Sequence, residues 1–188
     1  MFENFLISTN HQKVLSFLAK FSDQEFYERE IARKIGISTG SANKVLNDLF
    51  SGGLLERRQK GKMYFYIIDK THPIFKHFKI FNNILLILPL VEELKSLTKK
   101  IVLYGSCAHG KDTSESDIDL FLVSEEQDRV LQIIGNYSLG KGFEEIEIQP
   151  VIQSSVELLK SEKDDKEFLS LVREGIVLWA RPTDESRL

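Results

Sequence analysis

The chain has 188 residues, 42% of them hydrophobic and 28% charged, with a formal net charge of −3. That length holds one medium domain or two small ones, and the composition excludes a disordered or collagen-like chain. The single cysteine, Cys107, excludes an intrachain disulfide framework and a cysteine-rich zinc site, and it fits a reducing cytoplasm.

Charge is unevenly placed. Residues 1–70 carry 11 Lys/Arg against 8 Asp/Glu, and the remainder carries 14 against 20. A mildly basic first part followed by an acidic second part points to two different jobs. The opening MFENFLISTNHQK lacks the basic segment and long apolar run of a secretory leader, so a cytoplasmic location is expected. The most apolar stretch, ILLILPLV at 84–91, is too short to span a bilayer and reads as a buried helix or a contact surface.

In chain order, Val14, Leu15, Phe17, Leu18 and Phe21 recur at helical spacing and predict a helix over 10–21. A second short helix is expected over 28–34 with Ile31 and Ala32 inward, followed by a tight turn at Gly36. Ser38 or Thr39 can cap a third helix that reaches residue 50, with Ala42, Val45, Leu46 and Leu49 buried, and Gly52-Gly53 ends it. Residues 54–58 and 63–68 read as two strands about a turn at 59–62. Helix, helix, turn, helix, hairpin is the order of a winged helix-turn-helix.

Residues beyond 70 read as a helical connector interrupted at Pro73 and Pro89. After it come a strand at 101–104, a loop, a strand at 118–123, a helix at 129–139, a strand at 145–152 and helices at 156–160 and 166–174. Phe168, Leu169, Leu171 and Trp179 read as core, Cys107 as a small packed side chain and His109 as a loop residue. The expected fold class is α+β: a winged helix-turn-helix over 1–70, a connector over 71–98 and, over 99–188, a domain around a small mixed sheet.

The most informative stretch is Gly105-Ser106, ten further residues, then Asp117-Ile118-Asp119 leading into an apolar strand. Carboxylates two apart on a strand share a face, and they repel each other unless a cation lies between them. An oxygen-rich pair of this kind suits Mg²⁺, which takes further ligands from phosphates. Gly105 lets backbone approach a ligand, and the Ser106 hydroxyl with nearby amides can hold phosphate oxygens.

This pattern resembles the polymerase β nucleotidyltransferase superfamily, particularly its minimal members. The resemblance implies that Gly105 and Ser106 contact a nucleoside triphosphate, ATP or another, and that Asp117 and Asp119 hold metal. The family's third acid lies on a later strand, where Glu145, Glu147 and Gln149 alternate onto one face. If Glu147 takes that position, a general base is present; if Gln149 does, it is missing. Relatives often carry arginine where this chain has His109, which implies a weaker or pH-dependent phosphate contact here.

The whole order resembles DNA-binding regulators fused to such a domain. Ser41, Asn43, Lys44 and Asn47 on the third helix are the candidate base readers, and Arg57, Arg58, Lys60 and Lys62 of the hairpin the candidate phosphate contacts. A winged helix used for protein contact is the competing reading. Two functions are therefore carried forward. One is a Mg²⁺-dependent nucleotidyltransferase acting on a hydroxyl acceptor. The other is a transcriptional regulator whose nucleotidyltransferase-like domain binds only nucleotide or a partner. Family members often pair with a separate small helical protein in toxin–antitoxin systems, so such a partner is expected, and a homodimer stays open.

Overall fold

The computed structural model describes residues 9–182. Helix α1 (Asn10–Lys20) starts at a capping box in which the Thr9 hydroxyl accepts the Gln12 amide at 3.2 Å and Gln12 reaches back to the Thr9 amide. Its Val14, Phe17 and Leu18 are buried as the spacing predicts. Strand β1 (Phe26–Tyr27) leads into α2 (Glu28–Ile35), which stops at Gly36 with φ 72°, a left-handed conformation that glycine adopts without a Cβ clash. Helix α3 (Thr39–Ser51) is capped by Ser38, whose hydroxyl accepts the Ser41 amide at 3.1 Å. Strands β2 (Leu55–Lys60) and β3 (Met63–Ile68) form the antiparallel hairpin, and β1 adds to it in the order β1-β3-β2. This is a winged helix-turn-helix. The two-residue β1 has no signature in the sequence, because only its pairing with Tyr66 and Phe65 makes it a strand.

Helix α4 (Phe75–Leu94) is continuous, which corrects the expected interruption at Pro89. A mid-helix proline costs about 3 kcal/mol. Here Leu86, Ile87, Leu90, Val91 and Leu94 are all buried around it, each contributing about 1.5–3 kcal/mol, so packing outweighs the local penalty. Pro73, by contrast, lies before the helix begins.

The remaining elements are β4 (Lys100–Leu103), α5 (Gly105–His109), β5 (Ile118–Val123), α6 (Gln127–Asn136), β6 (Ile148–Gln153), α7 (Ser155–Asp164), α8 (Lys166–Arg173) and β7 (Ile176–Ala180). They build a mixed sheet in the order β6-β5-β4-β7, with β5 and β6 parallel and the other pairs antiparallel. Four expectations are corrected. Strand β6 starts at Ile148 rather than residue 145, because Phe143 and Ile146 are drawn into the core by a turn. Helix α6 runs two residues earlier and ends three earlier than expected. His109 closes α5 instead of lying in a loop. Leu171 is 56% exposed, whereas Leu169 on the same helix is buried.

One apolar cluster runs from Phe17 and Leu46 through Ile87 and Leu90 of α4 to Ile101 and Leu120 of the mixed sheet. Helix α4 packs on α1, α5, α6 and β7, and so joins the winged-helix part to the sheet. Among the described residues no helix is long and apolar enough to cross a membrane.

Candidate nucleotide and nucleic-acid sites

Strands β4 and β5 bring the two sequence motifs together. Leu103 pairs with Leu120, and the next amide, Tyr104, donates to the Asp119 carbonyl at 3.1 Å. Gly105 therefore sits directly against Asp119. Its φ is 68°, and a Cβ added there would be strained and would push the Asp119 carboxylate aside, so glycine is what lets the two approach this closely. Ser106 follows in the first turn of α5.

Ile118 is fully buried, which turns Asp119 to the other side of the sheet, and Asp117, just before β5, lies near enough for its charge to act on Asp119. Burial and the neighbouring Asp117 both push the Asp119 pKa up. Below them Phe121 and Val123 join Val102, Leu169 and Val172 in an apolar floor, with the Tyr104 ring edge-on to Phe168 at 5.7 Å. Neither aspartate has a hydrogen-bonding or ion-pairing side chain among the described residues. Two partly buried like charges without a counterion are what a divalent cation would relieve, so the donor set fits Mg²⁺.

The register of the parallel pair bears on the third acid. Gln149 is the cross-strand partner of Asp119, and the Ile118 amide donates to the Glu147 carbonyl at 2.9 Å, level with Asp117. The Glu147 side chain is exposed and accepts from Gln149 Nε2 at 3.3 Å. Among the described residues no three metal-ligating side chains are already gathered round one point.

The loop between the motifs rests on residues the sequence did not reveal. Asp112 is buried and receives Lys20 Nζ at 3.1 Å and Asn83 Nδ2 at 3.0 Å, with Lys79 Nζ at 3.7 Å. Lys79 also donates to the Asp112 carbonyl and to Ser22 Oγ at 3.1 Å. Cys107 is fully buried and its thiol pKa is pushed up to about 11 by that burial, so it is packing rather than a nucleophile. On helices with apolar periodicity Lys20 and Lys79 look like solvated residues, because their partner comes from a distant loop.

At the winged helix, Asn43 and Lys44 are exposed on α3, with Ser41 and Asn47 half-buried beside them. Asn43 donates to Glu28 at 2.5 Å, and Asn47 donates to Asn43 Oδ1 at 3.1 Å. Arg57 lies between the rings of Phe50 and Tyr64, 4.3 and 4.5 Å from their centroids. Glu25 binds both Arg58, at 3.1 Å, and Lys60, at 2.5 Å, and the Lys60 ammonium holds its carboxyl below the usual range. Lys62, with Tyr27, Arg29, Asn43, Tyr64 and Tyr66, lines a cleft of about 510 Å³ between wing and helices.

The family described as Polymerase beta, Nucleotidyltransferase matches residues 90–184. Among solved structures, the chain is similar to the transcriptional regulator BldR from Sulfolobus solfataricus, with 17% identity over 48% of this chain and a TM-score of 0.37; it spans 65% of BldR's length. It is similar to reduced HlyU from Vibrio cholerae, with 19% identity over 48% of this chain and 81% of that one, TM-score 0.32. It is also similar to a candidate nucleotidyltransferase from Sulfolobus solfataricus, with 19% identity over 56% of this chain and 87% of that one, TM-score 0.38. No curated protein matches.

Proposed function

The chain belongs to the polymerase β nucleotidyltransferase family, and we propose that it is a Mg²⁺-dependent nucleotidyltransferase with a DNA-binding winged helix. Residues 1–70 would be the DNA-binding module, 71–98 the connector and 99–188 the transfer domain, working in the cytoplasm; residues 1–8 and 183–188 lie outside the described ones. The observation that carries this reading is the uncompensated Asp117–Asp119 pair, with Asp119 packed against Gly105 at a positive φ.

Asp117 and Asp119 would hold the metal, which when bound supplies positive charge against the triphosphate and the developing transition-state charge. Gly105 and Ser106 would receive phosphate oxygens through backbone amides and the serine hydroxyl. Glu147, exposed beside the acids, would take the proton from the acceptor hydroxyl as its oxygen bonds to the α-phosphorus. The bond from that phosphorus to the bridging oxygen breaks, and pyrophosphate leaves. Transfer of label from α-labelled ATP to acceptors in a cell extract tests this. Glu147→Gln is expected to lower the rate by about 100-fold with nucleotide affinity kept. An equal rate for Glu147→Gln sinks its role as base.

Gln149, directly opposite Asp119, favours a second reading: a regulator that binds nucleotide without transferring it. Nucleotide binding with no labelled product from any acceptor would select it.

On the DNA side, α3 would enter the major groove while Arg57, Arg58, Lys60 and Lys62 meet phosphates. Glu25 competes with those phosphates for Arg58 and Lys60. Glu25→Gln is therefore expected to tighten DNA binding at low salt and to steepen its salt dependence, as fluorescence anisotropy would read. Unchanged affinity and slope would mean that the wing does not carry phosphate contacts.

A further inference from the structure

The end of α1 reaches into the segment that carries the acids. Residues 111–117 contain turn and coil only, so their placement depends on what they touch. Lys20, wholly buried, puts its ammonium 3.1 Å from Asp112 and 3.6 Å from Cys107 Sγ. The Cys107 thiol donates in turn to the carbonyl oxygen of Asp117 at 3.2 Å. Just beyond the helix, Asp23 accepts both the Ser114 amide, at 3.0 Å, and the Ser114 hydroxyl, at 2.7 Å. The approach to β6 is anchored in the same place, with Phe143 packed on Phe17 and stacked on Phe21 at 6.3 Å. Both segments that lead to the acids and to Glu147 thus take their position from the winged-helix part.

We propose that Lys20 and Asp23 are positioning residues of the nucleotide site, fixing the 111–117 segment so that Asp117 presents its carboxylate beside that of Asp119. The inference rests on the nucleotidyl-transfer reading of that acid pair. Mg²⁺ demands near-ideal octahedral geometry, so a coil that carries one of its ligands must be held from outside. Groups that orient metal ligands in this way typically matter by 10- to 100-fold. A merely structural weld would act differently. The Asp23–Ser114 clamp is exposed, so its two hydrogen bonds contribute only a modest part of the fold's stability. Cutting it should spare the fold and cost the site.

The test is calorimetric titration of Mg-ATP into the full chain for the wild type, Asp23→Ala, Asp23→Asn and Gln24→Ala, with thermal unfolding run in parallel. Asparagine can still accept the Ser114 amide, and Gln24 is an exposed neighbour outside the clamp. Asp23→Ala is expected to bind about 10- to 100-fold more weakly with an unfolding midpoint lowered only slightly, whereas Asp23→Asn and Gln24→Ala bind like the wild type. Lys20→Met is expected to lose affinity likewise, measured below its own unfolding midpoint. Wild-type binding with an indifferent Asp23→Ala overturns the positioning role alone. A wild type that fails to bind Mg-ATP overturns the nucleotidyl-transfer reading and this inference with it.

Discussion

Replacing Asp117 and Asp119 together by alanine is expected to remove magnesium-dependent nucleotide binding, a loss of at least about 100-fold, while leaving the protein folded. The size follows from the proposed ligand set: with both carboxylates gone, no charged protein ligand would be left to hold a metal against the triphosphate. Stability should move the other way. Burial and the Asp117 charge raise the Asp119 pKa, so its ionised form costs the metal-free protein free energy. Removing the charge relieves that cost, as happens at sites strained for function. Denaturant unfolding beside the titration checks both halves. A variant that still binds Mg-ATP like the wild type would place the metal elsewhere.

The second large effect concerns stability. Asp112→Ala is expected to lower it by about 3–5 kcal/mol at pH 7, because two buried ammonium groups lose their carboxylate. The pH dependence has a definite sign. Burial holds the Lys79 pKa below its ordinary 10.5, while Asp112 pulls it back up. Without Asp112 it falls further, so between that depressed value and 10.5 the unfolded chain binds more protons than the folded one. Stability then rises with pH across that window. Urea unfolding at pH 7 and pH 9.5 should show the deficit of the variant shrinking at the higher pH. A deficit that is absent, or that grows as pH rises, contradicts the assigned charge state of the cluster.

Much of the winged helix was legible because local chemistry decides it. Ser38 caps α3, Gly36 takes the left-handed turn after α2, and the apolar residues of α1 repeat at helical spacing. The acid pair was legible because Asp119 stands at the start of β5 with Asp117 two residues before it, a spacing that sequence alone shows. What escaped depends on distant partners. Phe26 becomes a strand residue only by pairing with Tyr66. Glu145 sits in a pattern that alternates like a strand, yet buried Phe143 and Ile146 fold that segment into a turn against α1. Pro89 is tolerated inside α4 because of apolar burial that no local rule contains. Lys20 and Lys79 meet Asp112 across 92 and 33 residues of chain, so their roles have no trace in local sequence.

The most direct measurement is calorimetric titration of ATP, then of the other nucleoside triphosphates, into the wild-type chain with and without Mg²⁺. Saturable binding that requires Mg²⁺ is expected, with the heat lost when EDTA removes the metal. Absence of binding by every triphosphate in the presence of Mg²⁺ would contradict the nucleotidyltransferase account.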